Sequence, residues 1–418
     1  MSDTVYWIWL QNALGVGNPK ADWVIEQIGS PEKFYQMTEQ ALRDTGIFAS
    51  KEIQKIKSAK LEDAEKALAR AEKYGYSVIT PPHPDYPGGF LHINAAPCAL
   101  YAKGDMSHLE DELLITIVGT RSATQYGLDS AFRLAYDLAA AGCTVVSGLA
   151  TGIDCAAHEG ALAAGGRTIG LLACGMDIDY PRASHDLKER ILQAGGCFFS
   201  EFPFGMRAFA PNFNIRNRLV AGISSGVLVV QAPEKSGALN TARHAMEQGK
   251  DIFAVPGEIF DKSMVGCNRL IQDGCKMVLN VYSILEEYKG RFPDKIDPAQ
   301  IVRKIQAASR KNTPTPHNLP RKVIPVTPAS EPSNIGMVAQ ETFTPVRKYS
   351  DEELSRMELS ETAKKIYQAL DAQPADCETL AQSTGISAST LMAGLTELEL
   401  SGLAQCHPGK RYTALPKI

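Results

Sequence analysis

The sequence predicts an α/β protein: a parallel sheet covered by helices on both faces, flanked by an N-terminal helical region and a C-terminal winged helix. Three observations predict this fold. Short β-rich runs alternate with helical stretches from about Leu113 to Lys289, a rhythm typical of parallel sheets. Apolar residues recur three and four apart before that region. After it, a helix-turn-helix pattern precedes two short β-rich runs.

Length and composition limit the class of protein. The 418 residues exceed one ordinary core, and 44% hydrophobic and 22% charged residues are typical of a soluble globular chain. Nine scattered cysteines without a CxxC pair indicate reduced thiols, and the acidic start lacks the basic region of a secretory signal. We therefore expect a cytoplasmic protein without a membrane span or a metal site. Because the net charge is -4, the positive charge of any nucleic-acid site must be concentrated in one part of the surface.

The N-terminal region is predicted to span residues 1–105. Apolar residues recur at helical spacing in ADWVIEQIGSPEKFYQM and LEDAEKALARAEKYGY. A proline- and glycine-rich connector follows, with a short strand expected around residues 99–101. We interpret the region as a helical packing or protein-contact module.

The central region, residues 106–290, carries the predicted sheet. Its strand-like runs are ITIVG, TVVSG, TIGLLACG, CFFSEFP, GVLVVQAP, DIFAVPG and KMVLN. Several runs end in glycine before the next helix. Because ligands of such sheets bind beyond the carboxyl ends of the strands, we expect these loops to form one rim.

A linker is predicted at residues 291–350, where prolines recur and no periodicity survives. The stretch 289–348 holds eleven basic and four acidic residues. The linker is either a solvated tether or a weak electrostatic arm for a polyanion, and the sequence leaves both open.

The tail, residues 351–418, has a winged-helix pattern, with Gly385 at the turn and Pro408-Gly409 at the tip of the wing. Its second helix, about Ser387 to Ser401, contains two glutamates and neither lysine nor arginine. A helix without cationic side chains cannot form the electrostatic contacts with phosphate that dominate DNA affinity. We therefore favour a protein-contact or regulatory role for this domain.

The first rim loop is IVGTRSATQYG. Gly119 permits a tight turn, Arg121 offers a planar cation for phosphate, and Ser122 offers hydrogen-bond donors. The helix that follows adds a partial positive charge. The loop matches neither GxGxxG nor GxxxxGK[ST], so a dinucleotide cofactor and P-loop ATP hydrolysis are disfavoured.

The second rim loop lies in TVVSGLATGIDCAAHEGAL. Ser147 and Gly148 follow the strand, and glycine permits close approach of a ligand to the backbone. Asp154 and His158 lie one helical turn apart, but no nucleophile or metal ligand is near in sequence, and Ser147 lacks a GxSxG elbow. We interpret this pair as structural or ligand-orienting rather than catalytic.

The third motif, FAPNFNIRNRLVAG, combines Phe213 with Arg216, Asn217 and Arg218. An aromatic ring beside guanidinium groups is typical of sites for single-stranded nucleic acid. The alternative places Phe213 in the core and pairs the arginines with carboxylates.

The fourth rim segment supplies donors and few acids. Lys235 and Ser236 precede a helix that contains Thr241, and Asn268 lies on a later loop. A rim rich in donors and poor in acid–base pairs indicates a surface for an extended polyanion. The complete predicted DNA-binding set is Arg121, Ser122, Ser147, Gly148, Phe213, Arg216, Asn217, Arg218, Lys235, Ser236, Thr241 and Asn268.

Several motifs resemble the DNA-processing protein A family (DprA, also called Smf). They are GTRSATQYG, SGLATGIDCAAHEGAL, CGMDIDYP, SEFPFG, RNRLVAG, SGALNTARHAMEQGKDIFAVPG and GCNRLIQDG. The resemblance implies a SAM-like helical domain, an extended Rossmann-like domain and a C-terminal winged helix. It also implies a cytoplasmic homodimer that acts in natural transformation. Such a protein binds and protects incoming single-stranded DNA and loads the recombinase RecA onto it. The resemblance implies neither an established catalytic activity nor a cofactor.

The resemblance assigns roles by motif position. Arg121 would be the main phosphate-binding arginine, and Phe213 would lie at the DNA groove beside Arg216 and Arg218. The dimer interface would include Leu270, Ile271 and Met277. Two positions depart from the family pattern, because Gln231 stands where an acid is usual and Ala210 stands where a cation would help.

Two other functions compete with DNA binding. Rossmann-like enzymes that hydrolyse nucleoside monophosphates use a PGGxGT-type loop and a glutamate; the nearest match here is PGEIFD, with Glu258 in place of the second glycine. No clear catalytic Arg/Glu pair accompanies it. The third possibility, a winged-helix transcription regulator, is disfavoured by the acidic recognition helix.

Overall fold

The computed structural model describes residues 3–107, 109–292 and 349–415, the last range apart from 351–352, 355–356, 358, 372–374, 402 and 408–410. The chain divides into two compact units, whose boundary lies outside the described residues. Nearly all of the predicted linker and the predicted tip of the wing also lie outside them. Among the described helices, none combines the length and apolar character needed to cross a membrane.

The first unit begins with short helices around an aromatic core. Trp9 contacts Phe34, and Phe34 contacts Phe48, so rings join the helices and the loops between them. Ser30 and Thr38 cap the helices that follow them by accepting backbone hydrogen bonds. The elements are α1 Asp3–Leu14, α2 Lys20–Trp23, a π-helical turn Val24–Ile28, α3 Pro31–Gln36, α4 Glu39–Asp44, α5 Ser50–Ser58 and α6 Leu61–Lys73.

A nine-stranded sheet follows. Its strands are β1 Ser77–Ile79, β2 Leu100–Gly104, β3 Leu114–Gly119, β4 Thr144–Ser147, β5 Thr168–Leu171, β6 Cys197–Ser200, β7 Gly226–Gln231, β8 Asp251–Ala254 and β9 Lys276–Met277. The order is β1-β2-β6-β5-β4-β3-β7-β8-β9. In this order, the seven strands from β6 to β9 are parallel to one another. Strands β1 and β2 extend the β6 edge in antiparallel fashion. The predicted Rossmann-like α/β class is confirmed.

Helices cover both faces of the sheet, as buried parallel strands require. Ile115 and Ile117 of β3 pack with one set of helices, whereas Leu114 and Val118 face the other. The helices are α7 Gln125–Ala140, α8 Ile153–Ala163, α9 His185–Gln193, α10 Ala210–Gly222, α11 Gly237–Glu247, α12 Val265–Gln272 and α13 Tyr282–Tyr288. Of these, α7, α8 and α13 share one face with β3, and α10, α11 and α12 share the other.

The topology contains a switch point between β3 and β7. From β3 the chain proceeds through β4 and β5 to β6 on one side, and then returns to β7 on the other. The loops after β3 and β7 therefore diverge and leave a crevice at the carboxyl ends of these strands. Open parallel sheets bind their ligands at this position.

A buried ion pair links the N-terminal helices to the sheet. Arg218 of α10 contacts Glu201, just after β6, with Nη2 2.7 and 2.6 Å from the two carboxylate oxygens. The backbone N–H of Gly17 donates to the same carboxylate, and Gln11 of α1 donates to the Glu201 carbonyl at 2.8 Å. The helical region and the sheet thus share one hydrogen-bond network.

The second unit is a winged helix, as predicted. Its elements are α14 Glu361–Ala369, α15 Cys377–Thr384, α16 Ala388–Leu400, β10 Ala375–Asp376, β11 Ala404–His407 and β12 Arg411–Ala414. Gly385 has φ +67° in the turn between α15 and α16, a conformation that favours glycine. Glu397 of α16 accepts hydrogen bonds from the backbone and hydroxyl of Ser360, both at 2.6 Å.

Candidate nucleic-acid interface

A cleft of about 320 Å³ opens at the switch point between β3 and β7. Its walls come from the loop after β3, the start of α8, one face of α10 and the start of α11. Eight of the predicted DNA-binding residues line it: Arg121, Ser122, Phe213, Arg216, Asn217, Lys235, Ser236 and Thr241. Segments more than one hundred residues apart in sequence are thus brought together at one edge of the sheet.

Two guanidinium groups lie close to the Phe213 ring. The Cζ atom of Arg121 is 4.4 Å from the centroid of the ring, and that of Arg216 is 5.9 Å from it. Phe213 and Arg216 share a face of α10 because they are three residues apart in one helix. Arg121 is exposed, Phe213 is half-buried and Arg216 is buried. This group combines an aromatic surface with two cations.

The turn after β3 positions Arg121. A side chain at Gly119 would collide with Ile153 and with the backbone of Gln231, so the close packing of this turn requires glycine. The Thr120 backbone N–H donates to the Gln231 carbonyl at 2.8 Å. The buried Gln231 amide also bonds Thr124 at the start of α7 and Ser263 in a later loop. Gln231 therefore anchors the rim through neutral hydrogen bonds, a role that the sequence analysis missed.

Arg216 lies against the backbone at Gly148. A Cβ atom at Gly148 would overlap the Arg216 guanidinium, so this glycine makes room for an arginine. Burial lowers the pKa of Arg216 to about 10, against the opposing influence of Asp154. The sequence had predicted that Gly148 admits a ligand directly; in the structure it admits the side chain that lines the cleft.

Asp154 and His158 are held in place as buried supporting groups. The Asp154 carboxylate accepts hydrogen bonds from Gly148 and Ala150, each at 3.2 Å, and burial raises its pKa. His158 Nδ1 lies 2.7 Å from Thr168 Oγ1, and burial lowers the pKa of His158 to about 3. The imidazole is therefore neutral at physiological pH, and its complete burial favours the structural role of the two roles predicted for it.

The start of α11 forms the opposite wall. Ser236 caps this helix, since its hydroxyl accepts from Ala238 N–H at 3.3 Å. Asn217 of α10 donates to the Gly237 carbonyl at 3.3 Å and joins the two walls. Lys235 is exposed at the mouth of the cleft, whereas Thr241 is buried.

Besides Gly148, three predicted DNA-binding residues lie outside the cleft lining. Arg218 is buried in the ion pair with Glu201, as the alternative interpretation of the arginines anticipated. The Ser147 hydroxyl is fully buried and donates to the Ile117 carbonyl at 2.6 Å. The Asn268 side chain bonds the backbone of Gly257 through both N–H and C=O. All three stabilise the fold around the cleft.

Tyr180 extends the aromatic surface; it lies in the motif CGMDIDYP but was not among the predicted site residues. Its ring lies 5.9 Å from that of Phe213 at 63°, and it is 38% exposed. Phe209 is 55% exposed but does not line the cleft. Its place in the motif CGMDIDYP was the sequence signal that could have found Tyr180.

The predicted dimer residues differ in exposure. Leu270 and Ile271 of α12 are partly buried and pack against the core. Met277, on the edge strand β9, is 43% exposed, and Leu279 just beyond it is 71% exposed. Buried Val278 separates them, so exposed and buried side chains alternate along this segment, as they do in a strand.

Comparison with protein families agrees with these observations. The model described as DNA recombination-mediator protein A matches residues 77–289, and that described as the DprA winged helix domain matches residues 350–410. The chain belongs to this family. All cleft residues of this DNA recombination-mediator protein A family member lie within the first match.

Individual relatives cover most of the chain. The protein Smf of Synechocystis is 32% identical over 98% of both chains. The DNA processing protein DprA of Bacillus subtilis is 40% identical over 56% of this chain and 78% of its own. The X-ray structure of DprA from Streptococcus pneumoniae has a TM-score of 0.59 at 29% identity, covering 69% of this chain and 98% of that one.

Proposed function

We propose that this family member binds single-stranded DNA at the switch-point cleft. The observation that carries the proposal is the placement of Arg121 and Arg216 close to the Phe213 ring. Aromatic rings stack on bases of any sequence, and guanidinium groups bind the phosphates between them. The site therefore fits a sequence-independent ligand with unstacked bases.

The proposal includes a place in natural transformation. The relatives in Bacillus subtilis and Streptococcus pneumoniae carry the name DNA processing protein DprA, and the family name refers to recombination. On this basis we infer that the cytoplasmic protein protects incoming strands and loads RecA onto them. A strand-exchange assay with RecA, with and without this protein, tests loading; no acceleration on DNA covered by a single-strand-binding protein would contradict it.

We further propose that the protein binds DNA without bond-breaking chemistry. Among the residues that line the cleft, Asp154 is the one carboxylate, and it is engaged by two backbone N–H groups. Glu258, the candidate of the competing hydrolase hypothesis, is exposed and lies outside that lining. No arrangement among the described residues favours the hydrolase.

The proposed homodimer uses the β9 edge of the sheet. Met277 and Leu279 expose apolar surface there, and an edge strand offers unpaired backbone groups. Leu270 and Ile271, the other proposed interface residues, are partly buried in α12 and pack against the core.

Fluorescence anisotropy with single- and double-stranded DNA of equal length tests the DNA-binding proposal. We expect tighter binding to the single strand, with little effect of base sequence. Equal affinity for both forms, or release of free base from nucleoside monophosphates by protein that ignores oligonucleotides, would contradict it.

A further inference from the structure

Arg216 is a buried cation for which the described part of the chain provides no hydrogen-bond or ion-pair partner. The residue is 4% exposed, it lines the cleft, and its Nε atom is buried without a hydrogen bond. Asp154 attracts this charge without contacting it, so part of the cost of burying the charge remains. A bound anion would remove part of this cost, so the guanidinium marks a specific anion position inside the cleft.

The charges around this position favour a dianion. Arg216, Arg121 and Lys235 contribute three positive charges to the lining, and Asp154 contributes one negative charge. The 11-residue helix α11 also begins at the cleft and adds partial positive charge. An internal phosphodiester carries one negative charge, whereas a phosphomonoester carries about 1.5 to 2 at neutral pH. The monoester matches the excess of two positive charges.

The size of the cleft favours a single nucleotide. Its volume of about 320 Å³ lies near the lower end of small-ligand pockets, about 300–1,000 Å³. Phe213 stands in the same wall as Arg216, one helical turn away. A phosphate at Arg216 would therefore leave its own base within reach of the ring, and the rest of a strand would continue outside.

We propose that the cleft is a binding site for a nucleotide phosphomonoester, with the phosphate at Arg216 and the base at Phe213. Two sources share this chemistry: the 5′-phosphorylated end of a DNA strand and a free nucleoside monophosphate. The strand-end form rests on the proposed function, whereas the free-nucleotide form does not. The protein would thus recognise the end of a strand in addition to binding its interior.

The full chain is titrated with labelled oligo(dT) of one length carrying a 5′-phosphate, a 5′-hydroxyl or a 3′-phosphate. Thymidine monophosphate, thymidine and inorganic phosphate serve as competitors. We expect the 5′-phosphate to improve affinity about tenfold or more, as charge-assisted hydrogen bonds typically do. Thymidine monophosphate should compete better than thymidine or phosphate.

The possible results separate the two sources. A 5′-phosphate preference without competition by the nucleotide supports the strand end, and competition without an end preference supports the free nucleotide. Binding of the nucleotide without binding of any oligonucleotide supports the site and contradicts the proposed function. Equal affinity for all three oligonucleotides together with no nucleotide binding overturns the inference.

A pair of variants assigns the effect to Arg216. Arg216→Gln should abolish the 5′-phosphate preference, whereas Arg43→Gln removes a charge from an exposed ion pair in α4 and should leave it unchanged. If Arg216→Gln does not fold, the titrations of the unmodified protein with the three oligonucleotides and the competitors still test the phosphomonoester site. A folded Arg216→Gln protein that keeps the full preference contradicts the assignment.

Discussion

The guanidinium carbon of Arg121 lies 4.4 Å from the centroid of the Phe213 ring. In this arrangement the cation covers a ring face on which a base would stack. Because Arg121 is exposed and Phe213 is anchored on α10, the arginine is the partner that can move. A base can therefore either displace Arg121 or stack on its outer planar face, and both modes keep the cation near the phosphate.

Replacing Arg121 tests this relationship directly. We expect Arg121→Ala to weaken single-stranded DNA binding about tenfold or more, since it removes both a phosphate contact and a stacking partner. Arg121→Lys should recover only part of the loss, because lysine keeps the charge and loses the planar surface. A gel shift with a homopolymer oligonucleotide measures both; unchanged affinity in Arg121→Ala would remove this residue from the site.

Salt dependence provides a second test. Three lining cations, Arg121, Arg216 and Lys235, each release counterions when they contact phosphate. With a slope of about −0.7 per contact for single strands, the logarithm of affinity should fall with the logarithm of salt with a slope of about −2 or steeper. Arg121→Ala should reduce the slope by about 0.7. A flat titration would exclude phosphate contacts as the source of affinity.

Removing the winged helix gives a third test. We expect deletion of residues 351–418 to leave single-stranded DNA binding nearly intact. Its helix α16 contains neither lysine nor arginine, and Glu397 serves to bind Ser360 within the domain. Affinity of the full chain and the truncated chain is compared by anisotropy at the same salt concentration. A loss of more than about tenfold would show that the domain contacts DNA after all.

Charged substitutions test whether the β9 edge forms the dimer interface. Met277→Asp and Leu279→Asp place a carboxylate on surface that a partner would bury, and we expect either to shift a dimer towards monomer. Both side chains are substantially exposed in the chain itself, so the fold should tolerate them. Tyr74→Asp, at a 56% exposed position beyond α6, is the control. Light scattering measures the mass; an unchanged dimer would place the interface elsewhere.

The comparison of Arg216 and Arg218 shows what the sequence could predict. The motif RNR suggested one site because its arginines are close in sequence. Residues two apart lie on opposite sides of a helix, so only Arg216 reaches the cleft and Arg218 meets Glu201. Helix periodicity could have separated them.

Other features depended on long-range contacts. Strand and helix alternation is local, and the rim location follows from parallel topology, so both were predictable. The fit of Arg216 against Gly148 joins residues far apart in the chain. The Gln231 network and the Tyr180–Phe213 contact are of the same kind. A single sequence carries no periodic signal for such pairs.

The buried Arg218–Glu201 pair supplies the last prediction. We expect Arg218→Met to destabilise the protein by about 3–5 kcal/mol, because it leaves a buried carboxylate unpaired. Glu201→Gln combined with Arg218→Met should recover much of this loss, since the double variant removes both charges. Arg43→Met, which breaks an exposed pair with Glu39, should cost about 1 kcal/mol or less. Denaturant unfolding measures all three.

The loss in Arg218→Met should depend on pH. Burial raises the pKa of Glu201, and Arg218 is the main group that lowers it, so the variant raises this pKa further. A carboxyl with a raised pKa in the folded state loses stability as pH rises from its unfolded pKa to its folded pKa. The deficit of Arg218→Met should therefore be largest at neutral pH and shrink in acid, as Glu201 becomes protonated. A deficit that is constant across this range would mean that Arg218 acts through packing alone.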